Sequence, residues 1–324
     1  MKAVICTKYG PPEVLQIQEV EKPVPKDNEV LVKVYASTVS AADYKVRSFD
    51  LPTSIWLPAR LLLGLRKPRK CILGMELSGV IESVGKNVKS FKVGDQVFAA
   101  TLQTFGAYAE YICLPKDGPI ALIPINISFK EAAAIPIGAR TAFHYLKTIG
   151  QINIGQKVLI YGASGSVGTY AVQLAKYFGA KVTAICSTAN MSLVKSLGAD
   201  EVIDYTRQDY IKQLKKYDII FVTVDKLPFS ICKKALDYKG TYLNVGRPLK
   251  NLAMLWASLA SSKKIIVGEN SPENSEVLNI LKKIVEEGQL KAVIDRSYHL
   301  DQIVEAHQYA DQGHKKGNLV ITVN

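Results

Sequence analysis

Short apolar runs, broken by glycine and proline, dominate the first 122 residues. The β-branched and aromatic stretches 2–7, 29–37, 77–84, 96–100 and 108–114 read as strands, punctuated by Gly10-Pro11-Pro12, Pro23, Pro25 and Gly94-Asp95. This pattern predicts an antiparallel, barrel-like β domain. From Ser128 the period changes. Ser128 with Glu131 forms a capping-box signature ahead of Ala132, and 141–148 continues helically after Pro136. Strands at 158–161, 181–185, 201–203, 219–224, 240–245 and 264–267 then alternate with helices at 166–178, 190–197, 208–214 and 230–236. Such alternation predicts a doubly wound parallel sheet.

Beyond Pro272 the pattern is mixed: helix 276–287, strand 292–298, helix 300–311 and strand 318–323. A β domain needs closure, so this tail is expected to return to it. The expected organisation is therefore an α/β chain whose β-rich domain comprises 1–123 and 271–324, with 124–270 inserted as a nucleotide domain whose ligand crevice faces it.

At the centre of the inserted part, Lys157 to Tyr161 end in Gly162-Ala163-Ser164-Gly165-Ser166-Val167-Gly168 and run into a helical pattern. Strand, tight turn and helix in that order aim bare backbone N–H groups, at the positive end of a helix dipole, toward one point. Gly162 permits the turn, Gly165 lets an anion approach and Gly168 lets the helix lie against the strand. A dinucleotide pyrophosphate fits; a purely structural turn is the competing reading.

Composition narrows the classes. With 48% hydrophobic and 22% charged residues, the 324-residue chain is that of an ordinary globular protein, long enough for two domains. Five dispersed cysteines argue against a disulfide framework or zinc finger and for a reducing compartment. The amino-terminal segment runs into a strand pattern without signal-peptide features, so a cytoplasmic location is expected. Two apolar stretches, 55–65 and 249–260, are too short to span a bilayer and are expected to be buried or to line a pocket, with no membrane contact. The net charge of +12 is spread over the chain, and only 66–70 forms a compact basic cluster. No specific nucleic-acid partner is expected.

The end of the second parallel strand distinguishes the dinucleotides. An acid ~20 residues after the glycines binds an unphosphorylated ribose. Here the chain reads Ile185-Cys186-Ser187-Thr188-Ala189-Asn190, with hydroxyls and an amide but no acid. That favours NADPH, with Lys195 and Arg207 adding positive field. Simple capping of the next helix by Ser187 and Thr188 remains the other reading.

Several segments together make the chain resemble the medium-chain dehydrogenase/reductase superfamily, in its zinc-independent quinone oxidoreductase branch. They are Met1-Lys2-Ala3, Gly10-Pro11-Pro12-Glu13-Val14-Leu15, Asp43-Tyr44-Lys45-Val46-Arg47, Gly74-Met75-Glu76-Leu77-Ser78-Gly79-Val80, Val93-Gly94-Asp95-Gln96-Val97, Gly106-Ala107-Tyr108-Ala109-Glu110-Tyr111, the glycine turn, Leu197-Gly198-Ala199-Asp200, Val202-Ile203-Asp204-Tyr205 and Gly317-Asn318-Leu319-Val320-Ile321. Their order extends from Met1 to Val323. The resemblance implies a GroES-like catalytic domain joined to a Rossmann nucleotide domain. It implies pyrophosphate binding by Gly162, Ser164, Gly165, Ser166, Val167 and Gly168. It also implies contacts to the adenosine phosphate and adenine edge from Ser187, Thr188, Asn190 and Tyr205, and contacts on the nicotinamide side from Thr141, Val245 and Gly246.

Asn318 stands where relatives frequently carry a lysine near the tail, and is counted with the cofactor residues. Asp43, Tyr44 and Lys45 occupy the segment facing the nicotinamide ribose and acceptor, and are the implied catalytic set. Ser40, Ala189 and Asp225 depart from the family pattern. Zinc relatives carry a Gly-His-Glu motif where this chain has Gly74-Met75-Glu76, so no metal is expected. Without a Lewis acid, the chemistry implied is hydride delivery to a quinone or to an enone or enal. An enoyl-thioester reductase and a non-catalytic NADPH-binding stress protein are the alternatives. Family habit further implies a homodimer through the outer strand at 264–267.

Overall fold

The computed structural model describes residues 1–50, 56–246, 263–269, 271 and 274–323. The chain forms two compact units. One comprises Met1–Ile137, Glu273–Gly288 and Ala292–Asn324; the other comprises Gly138–Pro272 and Gln289–Lys291.

In the first unit a hairpin of β1 (Lys2–Cys6) and β2 (Leu15–Glu19) accompanies a larger sheet. That sheet is organised on β3 (Glu29–Thr38), whose apolar residues Val30, Val32 and Val34 are fully buried. β4 (Glu76–Val84), β5 (Gln96–Ala100) and β7 (Ile120–Leu122) follow on one side, while β6 (Tyr111–Pro115) also pairs with β3. The tail supplies β14 (Ile294–His299) and β15 (Asn318–Thr322), and β15 is antiparallel to β3, with Val320 opposite Thr38. The β14–β15 pair is parallel, so the sheet is mixed rather than wholly antiparallel. Leu77, Ile81, Val97, Leu319 and Ile321 join the β3 valines in one apolar cluster. The short helices of this unit include α1 (Ala41–Ser48), α2 (Trp56–Leu63) and α3 (Phe129–Ala133). α3 opens with the capping box anticipated from Ser128 and Glu131, and Ser78 Oγ donates to the Phe129 carbonyl at 2.6 Å, tying α3 to β4.

Two local expectations fail here. Strand 108–114 begins only at Tyr111 because Tyr108 turns its ring into the core and donates its hydroxyl to the Thr38 carbonyl. The stretch 55–65 was expected to be buried or to line a pocket, and the first of these fails, since none of the residues of α2 is buried.

The second unit is a six-stranded parallel sheet in the order β10 (Glu201–Asp204), β9 (Lys181–Cys186), β8 (Lys157–Tyr161), β11 (Tyr217–Val222), β12 (Leu236–Asn244) and β13 (Lys264–Val267). Strand order reverses beside β8, which creates a ligand crevice at the carboxyl end of that strand. Val158, Leu159 and Ile160 of β8 are completely buried; truncating such a side chain to alanine costs about 2–5 kcal/mol. Helices α4 (Gly138–Phe143), α5 (Ser166–Tyr177), α6 (Met191–Ser196) and α7 (Phe229–Ala235) flank the sheet. The expected helix 208–214 is only a short 3-10 turn over Tyr210–Gln213, none of whose residues is buried, so it has no apolar face to hold a longer helix. The expected helix 141–148 divides into α4 and a wider π turn over His144–Ile149.

Helices α8 (Glu276–Glu286) and α9 (Ile303–Asp311) belong to the tail. No described helix is long and apolar enough to cross a membrane. The second apolar stretch, 249–260, lies outside the described residues.

Candidate active site

β8 ends in a turn that is closed by the chain itself. Gly162 N–H and Ala163 N–H both donate to the Ile185 carbonyl, and Gly165 N–H donates to the Gly162 carbonyl. Gly162 adopts φ +80°, the left-handed region where glycine is preferred. A Cβ on Gly168 would stand 2.1 Å from the Gly162 carbonyl oxygen, so only glycine lets α5 approach this closely. A Cβ on Gly165 meets nothing nearer than 3.4 Å, and the space over it is open. Gly165 is also the N-cap of α5 and contributes no side-chain acceptor. The first N–H groups of α5 thus face a small open cradle at the positive end of the helix dipole, which fits a pyrophosphate.

Around that cradle, Asn190 Nδ2 donates to Ser164 Oγ at 3.0 Å and lies 3.3 Å from Ser187 Oγ, while its buried Oδ1 has no hydrogen-bond partner. Asn190 therefore ties the glycine turn to the end of β9 and retains one unused polar atom, consistent with an adjacent polar ligand. The hydroxyl of Thr188 is already committed: it donates to Asp204 Oδ2 at 2.5 Å. Asp204 also accepts from the backbone N–H and hydroxyl of Thr206 at 2.9 and 2.7 Å. These bonds, that of Thr188 foremost, hold its carboxyl below the usual range. Asp204 thus lies one strand away from the acid-free segment 186–190, its carboxylate taken up by Thr188 and Thr206, with Arg207 Nε 3.7 Å from it. Sequence reasoning counted Asp204 only as part of a family motif. Tyr205 is 45% exposed, with its ring 6.4 Å from that of Tyr161.

Thr141 lies on α4, whose Gly138 packs so closely that an added Cβ would meet Ser166 Oγ at 2.7 Å. α4 therefore lies against the start of α5. After β12, Val245 N–H donates to the Val222 carbonyl and Gly246 N–H to Asn244 Oδ1 at 2.6 Å. Both N–H groups are engaged, and Asn244, fully buried, holds this corner together with Tyr242 and Asp225.

The remaining predicted residues belong to the first unit. Asn318 is buried at the start of β15, and its Nδ2 turns back to the Val293 carbonyl at 3.2 Å. Asp43 is completely buried. It accepts from Ser40 N and Ser40 Oγ at 2.9 and 2.5 Å, and from Gly74 N at 3.1 Å, while Ser40 Oγ accepts from its backbone N–H. This is the capping box of α1, welded to the loop before β4. Tyr44 is half-buried against the apolar cluster, and burial first, then Asp311 and Asp50, raises its phenol above the ordinary value. Lys45, one position on, is exposed.

Next to this cap stands Glu76, 2% exposed, which accepts from the Thr38 hydroxyl and from Ile137 N–H at 2.8 Å. Burial pushes Glu76 up to about 7 and Asp43 to about 6, against the pull of their hydrogen bonds and of Lys315. Burial in turn lowers Lys315, whose Nζ is 3.3 Å from the Val39 carbonyl and 3.4 Å from that of Gly317. Thr38, Glu76 and Lys315 had no sequence signal as a group. Met75, beside Glu76, is buried, and among the described residues no three His, Cys, Asp or Glu side chains converge as a metal site.

Comparison with known proteins places the chain in a family. The sequence profile of the alcohol dehydrogenase GroES-like domain matches residues 26–125, and a profile described as zinc-binding dehydrogenase matches 197–321. The chain is 31% identical to the 2-methylene-furan-3-one reductase of Solanum lycopersicum over 99% of its own length and 79% of that protein. It is 32% identical to the quinone oxidoreductase of Homo sapiens, covering 95% of this chain and 93% of the human one. The structure of the quinone oxidoreductase from Coxiella burnetii superposes with a TM-score of 0.88 at 28% identity, over 100% of this chain and 99% of that one. With similarity of this extent across both units, the chain belongs to the medium-chain dehydrogenase/reductase superfamily, in its quinone oxidoreductase branch.

Proposed function

We propose that the protein is a zinc-independent, NADPH-dependent reductase of quinones or α,β-unsaturated carbonyls. The observation that carries this reading is the uncapped start of α5, held over the end of β8 by Gly162 and Gly168. The relatives contribute the acceptor class, since one is named for quinones and another for a methylene-furanone, an enone. When bound, NADPH supplies a hydride; with one proton it converts an enone to its saturated carbonyl, or a quinone to its hydroquinone.

The chain's own residues orient and shield. The backbone of Gly162, Ser164, Gly165, Ser166, Val167 and Gly168 holds the pyrophosphate. Ser187 and Asn190, with Arg207 just beyond the neighbouring strand β10, would receive the 2′-phosphate, while Thr188 is braced by Asp204 and Tyr205 would meet the adenine edge. The strand-end hydroxyls and the lack of an acid at 186–190 support NADPH over NADH. Thr141, Val245 and Gly246 serve the nicotinamide side, and Asn318 keeps the tail strand in register.

Asp43 acts as a positioning residue, because its carboxylate is consumed by Ser40 and Gly74 and thereby sets the orientation of α1. Tyr44 and Lys45 are then the groups of this segment assigned to an acceptor oxygen. Tyr44 donates a phenolic proton or only a hydrogen bond, and water can complete a hydroquinone. Met75 offers a thioether where a zinc enzyme of this kind needs an imidazole. We further assign nucleotide binding to the span 124–270, of which 124–137 packs with the first unit and the rest forms the parallel sheet and its helices, pairing of two copies to the β13 edge, and a cytoplasmic location.

The test follows NADPH absorbance with quinones, alkenals and an enoyl-thioester, and NADP with saturated alcohols, each with and without a chelator. Quinones and enones should oxidise NADPH equally well in both conditions. Loss of activity on chelation overturns the zinc-independent reading, and a chain that binds NADPH yet oxidises it with no acceptor is a binding protein instead.

A further inference from the structure

α2 is amphipathic in the opposite sense from an ordinary surface helix. The side chain that docks it on its own unit is a cation: the Arg60 guanidinium lies 4.5 Å from the Tyr9 ring centroid, 4.2 Å from that of Phe49 and 4.7 Å from that of Trp56. Arg60 Nη1 also donates to the Leu65 carbonyl at 2.5 Å, and the Tyr9 hydroxyl donates to that of Gly64 at 3.0 Å. The leucines point the other way. Leu57, Leu61 and Leu62 are 62%, 57% and 74% exposed, and Leu65, just beyond the helix, is 65% exposed. Leu57 and Leu61 are one turn apart, as are Pro58 and Leu62, so the exposed side chains form one continuous ridge. Trp56 lies at its edge, 44% exposed.

Behind the ridge the chain folds back, with Arg69 N–H donating to the Leu63 carbonyl at 2.7 Å and Arg69 Nη2 to that of Leu61 at 2.9 Å. This return brings Arg66, Lys67, Arg69 and Lys70, all exposed, alongside the leucines. From 51 to 75 the sequence contains no Asp or Glu.

We propose that α2 and the basic turn behind it form a peripheral docking surface for an anionic lipid bilayer. Exposed leucines at this density are unfavourable in water and favourable in the acyl region just below the headgroups, where an indole also sits comfortably. Cations without intervening acids select a negative headgroup layer, and the ridge supplies the apolar contact that charge alone lacks. The helix is too short to span, so it lies in the interface. A second copy of the same face is a poor partner, because two-fold pairing would set the same cations against each other. The proposal stands apart from the reductase reading and its readout needs no acceptor.

The full chain is sedimented with vesicles of phosphatidylcholine alone, and with vesicles of phosphatidylcholine mixed with phosphatidylglycerol. Binding is expected only to the mixed vesicles, and is expected to fall as salt rises. Leu61→Ser with Leu62→Ser, and separately Arg66→Glu with Lys67→Glu, should each weaken it by about tenfold or more. Because all four positions are exposed, both variants should keep the wild-type melting temperature and NADPH binding. No binding to either vesicle, equal binding to neutral vesicles, or binding that survives both variants overturns the proposal. A wild-type dimer that becomes monomeric on Leu61→Ser with Leu62→Ser also overturns it, since a second copy would then cover the ridge.

Discussion

The two units carry their polar chemistry in opposite ways. In the parallel-sheet unit the open polar groups are backbone N–H donors within one uninterrupted stretch, made accessible by missing side chains at Gly162, Gly165 and Gly168. In the other unit the polar cluster is assembled from side chains of Thr38, Asp43, Glu76 and Lys315, drawn from distant segments and forced together by burial. A backbone site is specified by local sequence and is fragile to any added carbon. A side-chain site is specified by the fold and responds to protons.

The largest effects should come from the glycines, and they should separate. Gly168→Ala drives a methyl into the Gly162 carbonyl and should cost about 3 kcal/mol of stability or prevent folding, read by chemical denaturation. Gly165→Ala leaves the fold within about 0.5 kcal/mol, yet fills the open cradle. It should weaken NADPH roughly tenfold or more in a fluorescence titration. Equal losses of stability in the two variants would sink the distinction between a packing glycine and a ligand glycine.

Glu76 tests the other side. Its pKa is raised in the folded state, from 4.5 to about 7, so the folded chain binds the proton more tightly than the unfolded one. Its contribution is therefore most favourable below the unfolded value and is lost as pH rises to about 7; Asp43, raised from 3.8 to about 6, has the same sign. Denaturation at about pH 5 and about pH 8 should show a decline on the order of a few kcal/mol that Glu76→Gln largely flattens. An unchanged slope in that variant would mean that Glu76 titrates normally.

Smaller again, Ser187→Asp adds a charge at the end of β9 and should weaken NADPH roughly ten- to hundredfold while sparing NADH. Similar losses for both nucleotides would move the 2′-phosphate elsewhere. Least of all, Ser40→Ala removes the capping hydroxyl of α1 and should cost about 1 kcal/mol by urea titration. If turnover falls while stability does not, Ser40 reaches the reaction by another route than the cap.

This contrast also explains what could be read from the sequence. The parallel strands were legible because each is a continuous apolar run ended by glycine or a polar residue, and the glycine turn because its determinants are adjacent. The capping box at Ser128 was equally local. That at Ser40 was hidden, because its acidic member, Asp43, falls inside a motif that suggested a ligand role. Thr38, Glu76 and Lys315 could not be grouped from the sequence, since only the pairing of β3 with β4 and β15 brings them to one end of the sheet. Asp204 was masked in the same manner: it follows the glycine turn by far more than one strand, yet β10 lies directly beside β9. For the leucines of α2 the burial half of the expectation failed, because Arg60 had already claimed the inward face.

The position of β15 has a consequence for biosynthesis. It lies between β14 and β3, so the strand made last fills a gap inside a sheet begun some 280 residues earlier, as the pairing of Val320 with Thr38 shows. Until the ribosome has released that segment, the end of β3 at Ala36–Thr38 lacks its partner there, a short template for pairing with another nascent chain. The parallel-sheet unit, contiguous apart from Gln289–Lys291, is free of that delay. Synthesis thus orders the two units in time, and the end of β3 stays open for that interval.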